Sequence, residues 1–134
     1  MTIASSELAV TGLGQVALTV SDVARSTTFY RDVVGLPFLF AAGPSLAFLD
    51  LGDGMRLMLA APEEGFTPGS GIVLYLRIGD IVGAHAAMRQ RGVQFVDEPH
   101  LVAPMPDHDL WMCFFRDPDE YTLALMCERP KVAR

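Results

Sequence analysis

The sequence holds few of the features that would direct a chain to nucleic acid, a membrane or a disulfide-stabilised fold. Only 10 of its 134 residues are Lys or Arg, they do not cluster, and the net charge of −6 argues against a phosphate-binding surface. No apolar run approaches the ~18–20 residues of a membrane span, and the N-terminus lacks the charged start of a signal peptide. The two cysteines, Cys113 and Cys127, have no CxxC spacing, which favours reduced, buried thiols in a cytoplasmic protein.

The composition that is present is typical of one compact domain. Apolar residues make up 51% of the chain and charged residues 19%, which is a globular balance. A chain of this length can bury one core and is too short for two ordinary domains. We therefore expect residues 1–134 to form a single domain.

The same order of predicted elements occurs twice along the chain. In the first half the apolar periodicity and the turn residues predict a strand, a helix and three strands, at residues 13–20, 23–35, 38–42, 46–51 and 55–60. A Gly- and Pro-rich linker follows at 62–71. The second half then predicts the strand GIVLYLRI, the helix IVGAHAAMRQRG and the strands VQFVDEP, LWMCFFR and YTLALMC.

Two local matches support this internal repeat. Residues 20–23 resemble residues 78–81 at an offset of 58, and residues 53–57 resemble residues 119–123 at an offset of 66. Each half alone would bury too little surface to be stable. We therefore predict an α+β fold of two βαβββ modules, at about 12–61 and 72–128. Their sheets can join into one curved mixed sheet, a cup whose concave face would hold a ligand.

Two stretches carry a resemblance to a known family. GQVALTVSDVARSTTFYRDVVGLPF resembles the first strand and helix of the vicinal oxygen chelate superfamily, and FFRDPDEYTLALM resembles its closing hairpin. This superfamily includes glyoxalase I, bleomycin-resistance proteins and extradiol dioxygenases. The resemblance covers roughly residues 12–128 and implies the cup-shaped fold, a small-molecule ligand and a homodimer. It does not imply one reaction, because many chemistries share this scaffold.

The closing hairpin departs from the family pattern at one position. DPDE-Tyr stands here where DPDG-Asn is common, so Glu120 replaces a glycine. Glycine reaches positive φ without steric cost and glutamate does not. The exact geometry of this turn is therefore open, whereas the fold is not.

The resemblance also implies where a metal would bind in metal-dependent members. The four ligand positions fall on Gln15, Met58, Val73 and Ala124, which the two repeat offsets relate to each other. Glutamine can be a ligand in some glyoxalases, but Met58 is a soft thioether and the other two have no donor. A divalent cation needs about four to six donors, so the usual site is absent and no cofactor is expected. Without carboxylates at these positions, glyoxalase I chemistry in its usual form is not expected either.

Side-chain alternation predicts which residues share the concave face with these positions. They form a mostly apolar set with a few polar groups, as in many small-molecule pockets: Gln15, Ala17, Thr19, Arg56, Met58, Ala60, Val73, Tyr75, Arg77, Thr122, Ala124 and Met126. We take Gln15, Met58, Tyr75 and Ala124 as candidate ligand-binding residues. Two alternatives stay open: the two arginines can reach water at the rim, and Tyr75 can belong to the core.

The stretch PHLVAPMPDHDLW, residues 99–111, concentrates the remaining polar chemistry of the chain. It contains two of the three histidines and the only tryptophan. By the order of the module it connects the sixth and seventh strands and can fold over the cup as a lid. In this interpretation His100 or His108 hydrogen-bonds to the ligand and Trp111 stacks on it.

Two other interpretations of residues 99–111 stay open. In one, both histidines combine with Gln15, Asp107 or Asp109 to bind a divalent metal ion at a relocated site. In the other, the stretch is a turn in which the side chain of Asp107 or His108 hydrogen-bonds to the backbone of the turn, and Trp111 belongs to the core.

Three functions are compatible with these features. We predict a metal-free protein that binds a small apolar or aromatic molecule, possible roles being sequestration or resistance. The alternative is a metal-dependent lyase, isomerase or dioxygenase that uses His100 and His108. A third interpretation is a structural or regulatory partner with a vestigial cup. The sequence leaves open whether any reaction is catalysed.

Overall fold

Two βαβββ units follow each other along the chain, as the repeat predicts. The structure is a computed structural model that describes residues 11–67, 69 and 71–131. The first unit contains β1 (Gln15–Thr19), α1 (Val23–Thr28) with a π-helical continuation (Phe29–Val34), β2 (Phe38–Ala41), β3 (Leu46–Gly52) and β4 (Met55–Ala60). The second contains β5 (Val73–Arg77), α2 (Ile81–Gln90), β6 (His100–Pro104), β7 (Asp109–Arg116) and β8 (Thr122–Arg129).

Each unit forms one four-stranded mixed sheet. The strand order is β1-β4-β3-β2 in sheet one and β5-β8-β7-β6 in sheet two. The first strand of each unit runs parallel to the last, while the other pairs are antiparallel. The predicted α+β fold class with two βαβββ modules is confirmed.

Side-chain capping begins both helices where the sequence predicts. The carboxylate of Asp22 accepts a hydrogen bond from the Arg25 amide at 3.1 Å, and that of Asp80 accepts one from the Gly83 amide at 3.0 Å. These bonds satisfy amides that have no partner inside a helix. Among the described residues, none of the helices has the length and apolar character needed to cross a membrane.

One shared core holds the two sheets together. Leu57 and Leu59 of sheet one and Leu123 and Leu125 of sheet two belong to the same buried cluster. The helices lie against this side of the sheets, and Phe29 places its ring centroid 6.5 Å from that of Phe115 on β7. The core-facing sides of both sheets therefore point towards each other.

The other side of each sheet, which we call its open face, lies remote from this core. On sheet one the open face carries Ala17, Phe48, Arg56 and Met58, and on sheet two it carries Tyr75, Met112, Phe114, Ala124 and Met126. No strand pairing joins the two sheets within residues 11–67, 69 and 71–131. The chain thus has two open faces with a core between them, where the sequence suggested one joined curved sheet.

A buried polar cluster connects the second unit to the first. The Tyr30 hydroxyl donates to Asp117 Oδ2 at 2.7 Å, and Asp119 Oδ1 accepts from the Ser21 amide at 3.1 Å. The Tyr121 hydroxyl donates to the Thr19 carbonyl at 2.7 Å. Burial raises the pKa of Asp117, and the hydrogen bonds that its carboxylate accepts only partly offset this rise. Burial also raises the pKa of Tyr30. These bonds fix the β7–β8 turn against the end of β1.

The turn between β7 and β8 keeps a left-handed backbone without glycine. Glu120 has φ 68°, in the region that favours glycine, and its amide donates to the Asp117 carbonyl at 3.0 Å. Its carboxylate lies 3.8 Å from the Arg116 guanidinium. The glutamate therefore adopts the backbone conformation for which glycine is suited, at a cost of about 1 kcal/mol.

The prediction of a strand at VQFVDEP is wrong. This segment makes only an isolated bridge between Phe95 and Phe115, and the sixth strand is β6, which begins at His100. Asp97 Oδ1 accepts a hydrogen bond from the Phe114 amide at 2.7 Å. At this point a side chain therefore takes the place of the backbone carbonyl that a paired strand would supply. Residues 99–111 accordingly form an edge hairpin made of β6, a turn and the start of β7.

Both cysteines are buried and unpaired, as the sequence predicts. Burial, followed by the charge of Asp97, raises the pKa of the Cys113 thiol to about 11. The thiolate is the reactive form of cysteine, so burial and the raised pKa both lower the reactivity of Cys113. His85, on α2, is buried and packs its ring 4.2 Å from that of Phe95.

Candidate functional site

The open face of sheet one carries a stacked aromatic pair. Phe40 on β2 and Phe48 on β3 have ring centroids 4.5 Å apart and ring planes 21° from parallel. Met58 lies beside Phe48 in register on β4, and Ala17 follows on β1. Because side chains alternate along a strand, this row lies opposite the buried Leu57 and Leu59. The result is a flat apolar platform with an aromatic end.

Two polar side chains border this platform. Gln15 on β1 donates its side-chain amide to the Met58 sulfur at 3.6 Å. Arg56 is in register with Gln15 and holds its guanidinium carbon 5.6 Å from the Phe48 ring centroid. Arginine stacked on an aromatic ring is stabilised by the ring electrons and keeps its in-plane N–H groups available. Asp50 on β3 is the next residue of this row, so the edge of the platform carries an arginine and an aspartate.

The open face of sheet two is also apolar and aromatic. Tyr75, Ala124 and Phe114 lie in register across β5, β8 and β7. The two rings meet edge to face with centroids 6.2 Å apart, and Tyr75 is 52% exposed. Met126 and Met112 form the centre of the next row, with Arg77 on β5 at one end and His100 on β6 at the other. A tyrosine this exposed is not a core residue, so its ring is available to a ligand or a partner.

The four positions at which the family resemblance implies metal ligands divide between the sheets. Gln15 and Met58 touch on sheet one, whereas Val73 and Ala124 lie on sheet two. Valine and alanine have no donor atom, and an amide with a thioether does not make a site for a hard or borderline cation. Within the described part of the chain, no three His, Cys, Asp or Glu side chains are grouped to hold a metal ion. The residues present do not fit a metal at this position.

The two histidines of the edge hairpin have separate partners. His100 Nδ1 lies 2.8 Å from the Glu98 carbonyl and 3.7 Å from Asp97 Oδ2. His108 Nδ1 lies 2.7 Å from Asp107 Oδ1, and this hydrogen bond lowers the pKa of that carboxyl. Each ring is thus oriented by a neighbour in its own loop.

These histidines do not converge. His100 is the first residue of β6. His108 lies at the opposite end of this strand, where its carbonyl accepts a hydrogen bond from the Met105 amide at 2.8 Å. At ~3.3 Å per strand residue, roughly 15 Å separates the two positions. Gln15 belongs to the other sheet. The structure therefore does not assemble the relocated metal site of Gln15, His100 and His108 within one chain.

Trp111 lies on the core side of sheet two. It pairs in register with Cys127 on β8, which is buried, and it packs against the core. The Arg129 guanidinium covers its ring at 4.7 Å. Trp111 therefore does not share a face with Tyr75 and Ala124. Asp109, an alternative ligand of the predicted relocated metal site, is buried and accepts a hydrogen bond from Lys131 Nζ at 3.1 Å.

Sequence reasoning missed the aromatic residues of the third strand of each unit. Phe48 and Phe114 occupy the open faces, yet we applied alternation only to the first and last strands of each unit. The same alternation identifies both residues once the buried neighbours Leu49 and Phe115 are recognised. Phe40 required the structure, because a bulge between Phe38 and Phe40 changes the register of β2.

A cleft of about 680 Å³ adjoins the free edges of the two sheets. It is bounded by the start of β1, the turn between β3 and β4, and β5. Gly14 and Gly54 line it on one side and Tyr75 and Arg77 on the other. The cleft therefore reaches the open face of sheet two, but not the Phe40–Phe48 pair.

Comparison with known proteins shows the same architecture. The model of the Glyoxalase/Bleomycin resistance protein/Dioxygenase superfamily matches residues 12–125. The crystal structure of TnmS3, an antibiotic binding protein from Streptomyces sp. CB03234, superposes with a TM-score of 0.73 at 25% identity. That comparison covers 92% of this chain and 98% of TnmS3. No match was found among curated proteins.

Two further solved structures share the fold. A superfamily member from Sphaerobacter thermophilus DSM 20745 gives a TM-score of 0.73 at 23% identity and covers 89% of this chain and 98% of its own. Lactoylglutathione lyase from Agrobacterium tumefaciens gives 0.71 at 17% identity, covering 89% and 95%. At these identities the likeness is one of fold.

Proposed function

The chain belongs to the Glyoxalase/Bleomycin resistance protein/Dioxygenase superfamily, and we propose that it binds a small apolar or aromatic molecule without a bound metal, for sequestration or resistance. The observation that carries this proposal is the chemistry of the open faces. They present Phe40, Met58, Tyr75 and Phe114 around positions that lack metal donors, and the buried Phe48 supports the Phe40 ring. The likeness to TnmS3, an antibiotic binding protein, supports it. Gln15 is a further proposed contact, and Ala124, which is fully buried between Tyr75 and Phe114, is the proposed floor of the site.

We propose that a second copy of the chain closes the site. Each open face is one side of a site with nothing opposite it in the described chain, and Phe40, Val73 and Tyr75 on these faces are all more than 40% exposed. Exposed apolar groups of this kind mark interaction surfaces. A twofold axis could place sheet one of one protomer over sheet two of its partner, which would form two equal sites per homodimer. The two unpaired thiols suit a reducing, cytoplasmic location.

The metal-dependent alternative has less support from the geometry. It requires His100 and His108 to converge, and they lie at opposite ends of β6 with their own partners. That either histidine or Trp111 contacts a ligand stays a prediction. Elemental analysis of protein purified without chelator tests the point: we expect less than a stoichiometric amount of any transition metal. One equivalent of metal in the native protein that is lost in both His100→Ala and His108→Ala would contradict metal-free binding.

The binding proposal is tested with N-phenyl-1-naphthylamine, a neutral aromatic probe whose fluorescence rises in apolar sites. We expect saturable binding to the native protein that EDTA does not change. Phe40→Ala and Phe114→Ala should each weaken it about tenfold, because each removes an aromatic ring that an open face presents. Val82→Ala is the matched control, since Val82 is an exposed apolar residue on α2 away from both open faces. Absence of saturable binding would refute the proposal.

A further inference from the structure

The proposed site contains a cation, Arg56, that no acidic side chain of the described residues engages. The Arg56 amide donates to the Gly14 carbonyl at 3.0 Å, but the side chain of this arginine makes no ion pair and no hydrogen bond within the described residues. The specific contact of its guanidinium is the Phe48 ring. Its cross-strand neighbour on β3 is Asp50, whose Oδ1 instead accepts from the Gly52 amide at 2.7 Å. The chain has 16 acidic and only 10 basic residues, so acidic partners are plentiful. An arginine beside an aromatic platform that has no acidic partner therefore calls for an explanation.

The geometry of this arginine suits a carboxylate or a similar anion. The guanidinium carbon lies over the Phe48 ring at 5.6 Å from its centroid, and that ring stacks on Phe40. A guanidinium beside a ring face retains a planar fork of donors that matches two oxygen acceptors. Gln15, in register with Arg56, adds an amide group at the same edge. An aromatic ligand lying on the platform would bring an acidic substituent to this edge.

We propose that the ligand of the open face is an aromatic or apolar molecule that carries an anionic group, and that Arg56 binds this group. The inference rests on the proposed function and specifies the class of ligand. The net charge of −6 repels anions over a distance, so the discrimination arises from local contact and not from steering. Arg77, on the open face of sheet two, also has no ion pair among the described residues, but no aromatic ring lies against its guanidinium there, so the proposal assigns the anion to Arg56.

A matched pair of probes tests the inference: 2-naphthoate and its neutral isostere 2-naphthamide, titrated calorimetrically into the native protein. We expect 2-naphthoate to bind about tenfold more tightly, the usual gain from a charge-assisted hydrogen bond. In Arg56→Gln the ratio of the two affinities should fall close to one, and Arg56→Lys should retain part of it, because lysine keeps the charge without the fork.

Arg89→Gln is the control variant, because Arg89 is an exposed arginine on α2 and its loss changes the net charge equally. It should leave the tenfold ratio intact. Equal affinity of the two probes in the native protein would overturn the anion inference. So would an equal fall of the affinity ratio in Arg56→Gln and Arg89→Gln. In either case, binding of N-phenyl-1-naphthylamine would still support the proposed function. If no aromatic probe binds, both proposals fail.

Discussion

The two units of the repeat differ most where their last hairpins turn. In the second unit, Asp119 and Tyr121 in and after the turn bind the backbone at the end of β1. At the equivalent positions of the first unit stand Asp53 and Met55, and the cleft of about 680 Å³ lies beside them. The same topology is therefore closed by polar contacts at one end and open at the other.

This difference shows that the repeat preserves backbone order and not the contacts between units. A hydroxyl and a buried carboxylate fasten one junction, whereas a thioether and an exposed carboxylate leave the other free. An open junction exposes the free edge of β5 and Tyr75, which borders the proposed site. The following substitutions test how far the two ends differ.

The largest effect is expected at the buried carboxylate of the closed end. Asp119→Asn should lower the free energy of unfolding by about 2 kcal/mol, because an amide cannot accept from both the Ser21 amide and the Ser26 hydroxyl as the carboxylate does. The equivalent change Asp53→Asn, at an exposed residue with φ 52°, should stay within about 0.5 kcal/mol. Urea denaturation measures both. Equal losses would show that the two ends are energetically alike.

The hydroxyl of the closed end should contribute less. Tyr121→Phe removes the donor to the Thr19 carbonyl and should cost about 1 kcal/mol in the same assay. Met55→Leu keeps an apolar group at the equivalent position of the open end and should be nearly neutral. A neutral Tyr121→Phe would mean that this bond does not hold the units together.

Opposite signs are expected at the equivalent left-handed positions of the two turns. Glu120→Gly should stabilise the protein by up to about 1 kcal/mol, because glycine adopts φ 68° without strain. Gly54→Ala should destabilise it by about 1 kcal/mol, because Gly54 has φ 78°. Thermal unfolding of both variants checks the signs. A destabilised Glu120→Gly would show that the Arg116 contact outweighs backbone strain.

The smallest effect is a pH dependence that distinguishes the buried junction from the exposed hairpin. Burial raises the pKa of Asp117, so the folded state binds the proton more tightly than the unfolded state. The stability that this group contributes is therefore present below its unfolded pKa and is lost as pH rises through the folded pKa. Relative to Asp117→Asn, the native protein should gain stability as pH falls from 7 to 4.

Asp107 should show the reverse sign. Its hydrogen bond with His108 lowers its pKa, so its contribution is present above the unfolded pKa and is lost as pH falls through the folded pKa. Relative to Asp107→Asn, the native protein should lose stability on acidification. Urea titrations of both variants from pH 7 to pH 3 measure the two slopes, and slopes of the same sign would contradict the assignment.

Several local features could be predicted from the sequence because they depend on neighbours along the chain. Asp22 and Asp80 begin helices, and alternation places Met58 and Ala124 opposite buried leucines. Residues 93–99 were predicted as a strand because their apolar pattern fits one. The structure instead extends pairing through His100–Pro104, where Pro104 is tolerated because β6 is an edge strand.

The candidate site depended more heavily on the tertiary structure. The sequence placed Trp111 beside the histidines, and proximity in the chain suggested a common role. In a strand, adjacent side chains point to opposite faces, so Trp111 reaches the core while Met112 and Phe114 reach the open face. The roles of His100 and His108 depended on the length of β6, which the sequence did not predict.

By itself, the sequence determined the repeated βαβββ order, the helix starts and the lack of donor atoms at Val73 and Ala124, because each follows from residue type and local spacing. Only the tertiary structure decided that the core-facing sides of the two sheets share one core and that the open faces lie apart. Alternation gives every strand two faces but does not say which face of one sheet meets the other. That choice depends on packing between residues far apart in the chain, such as Phe29 and Phe115.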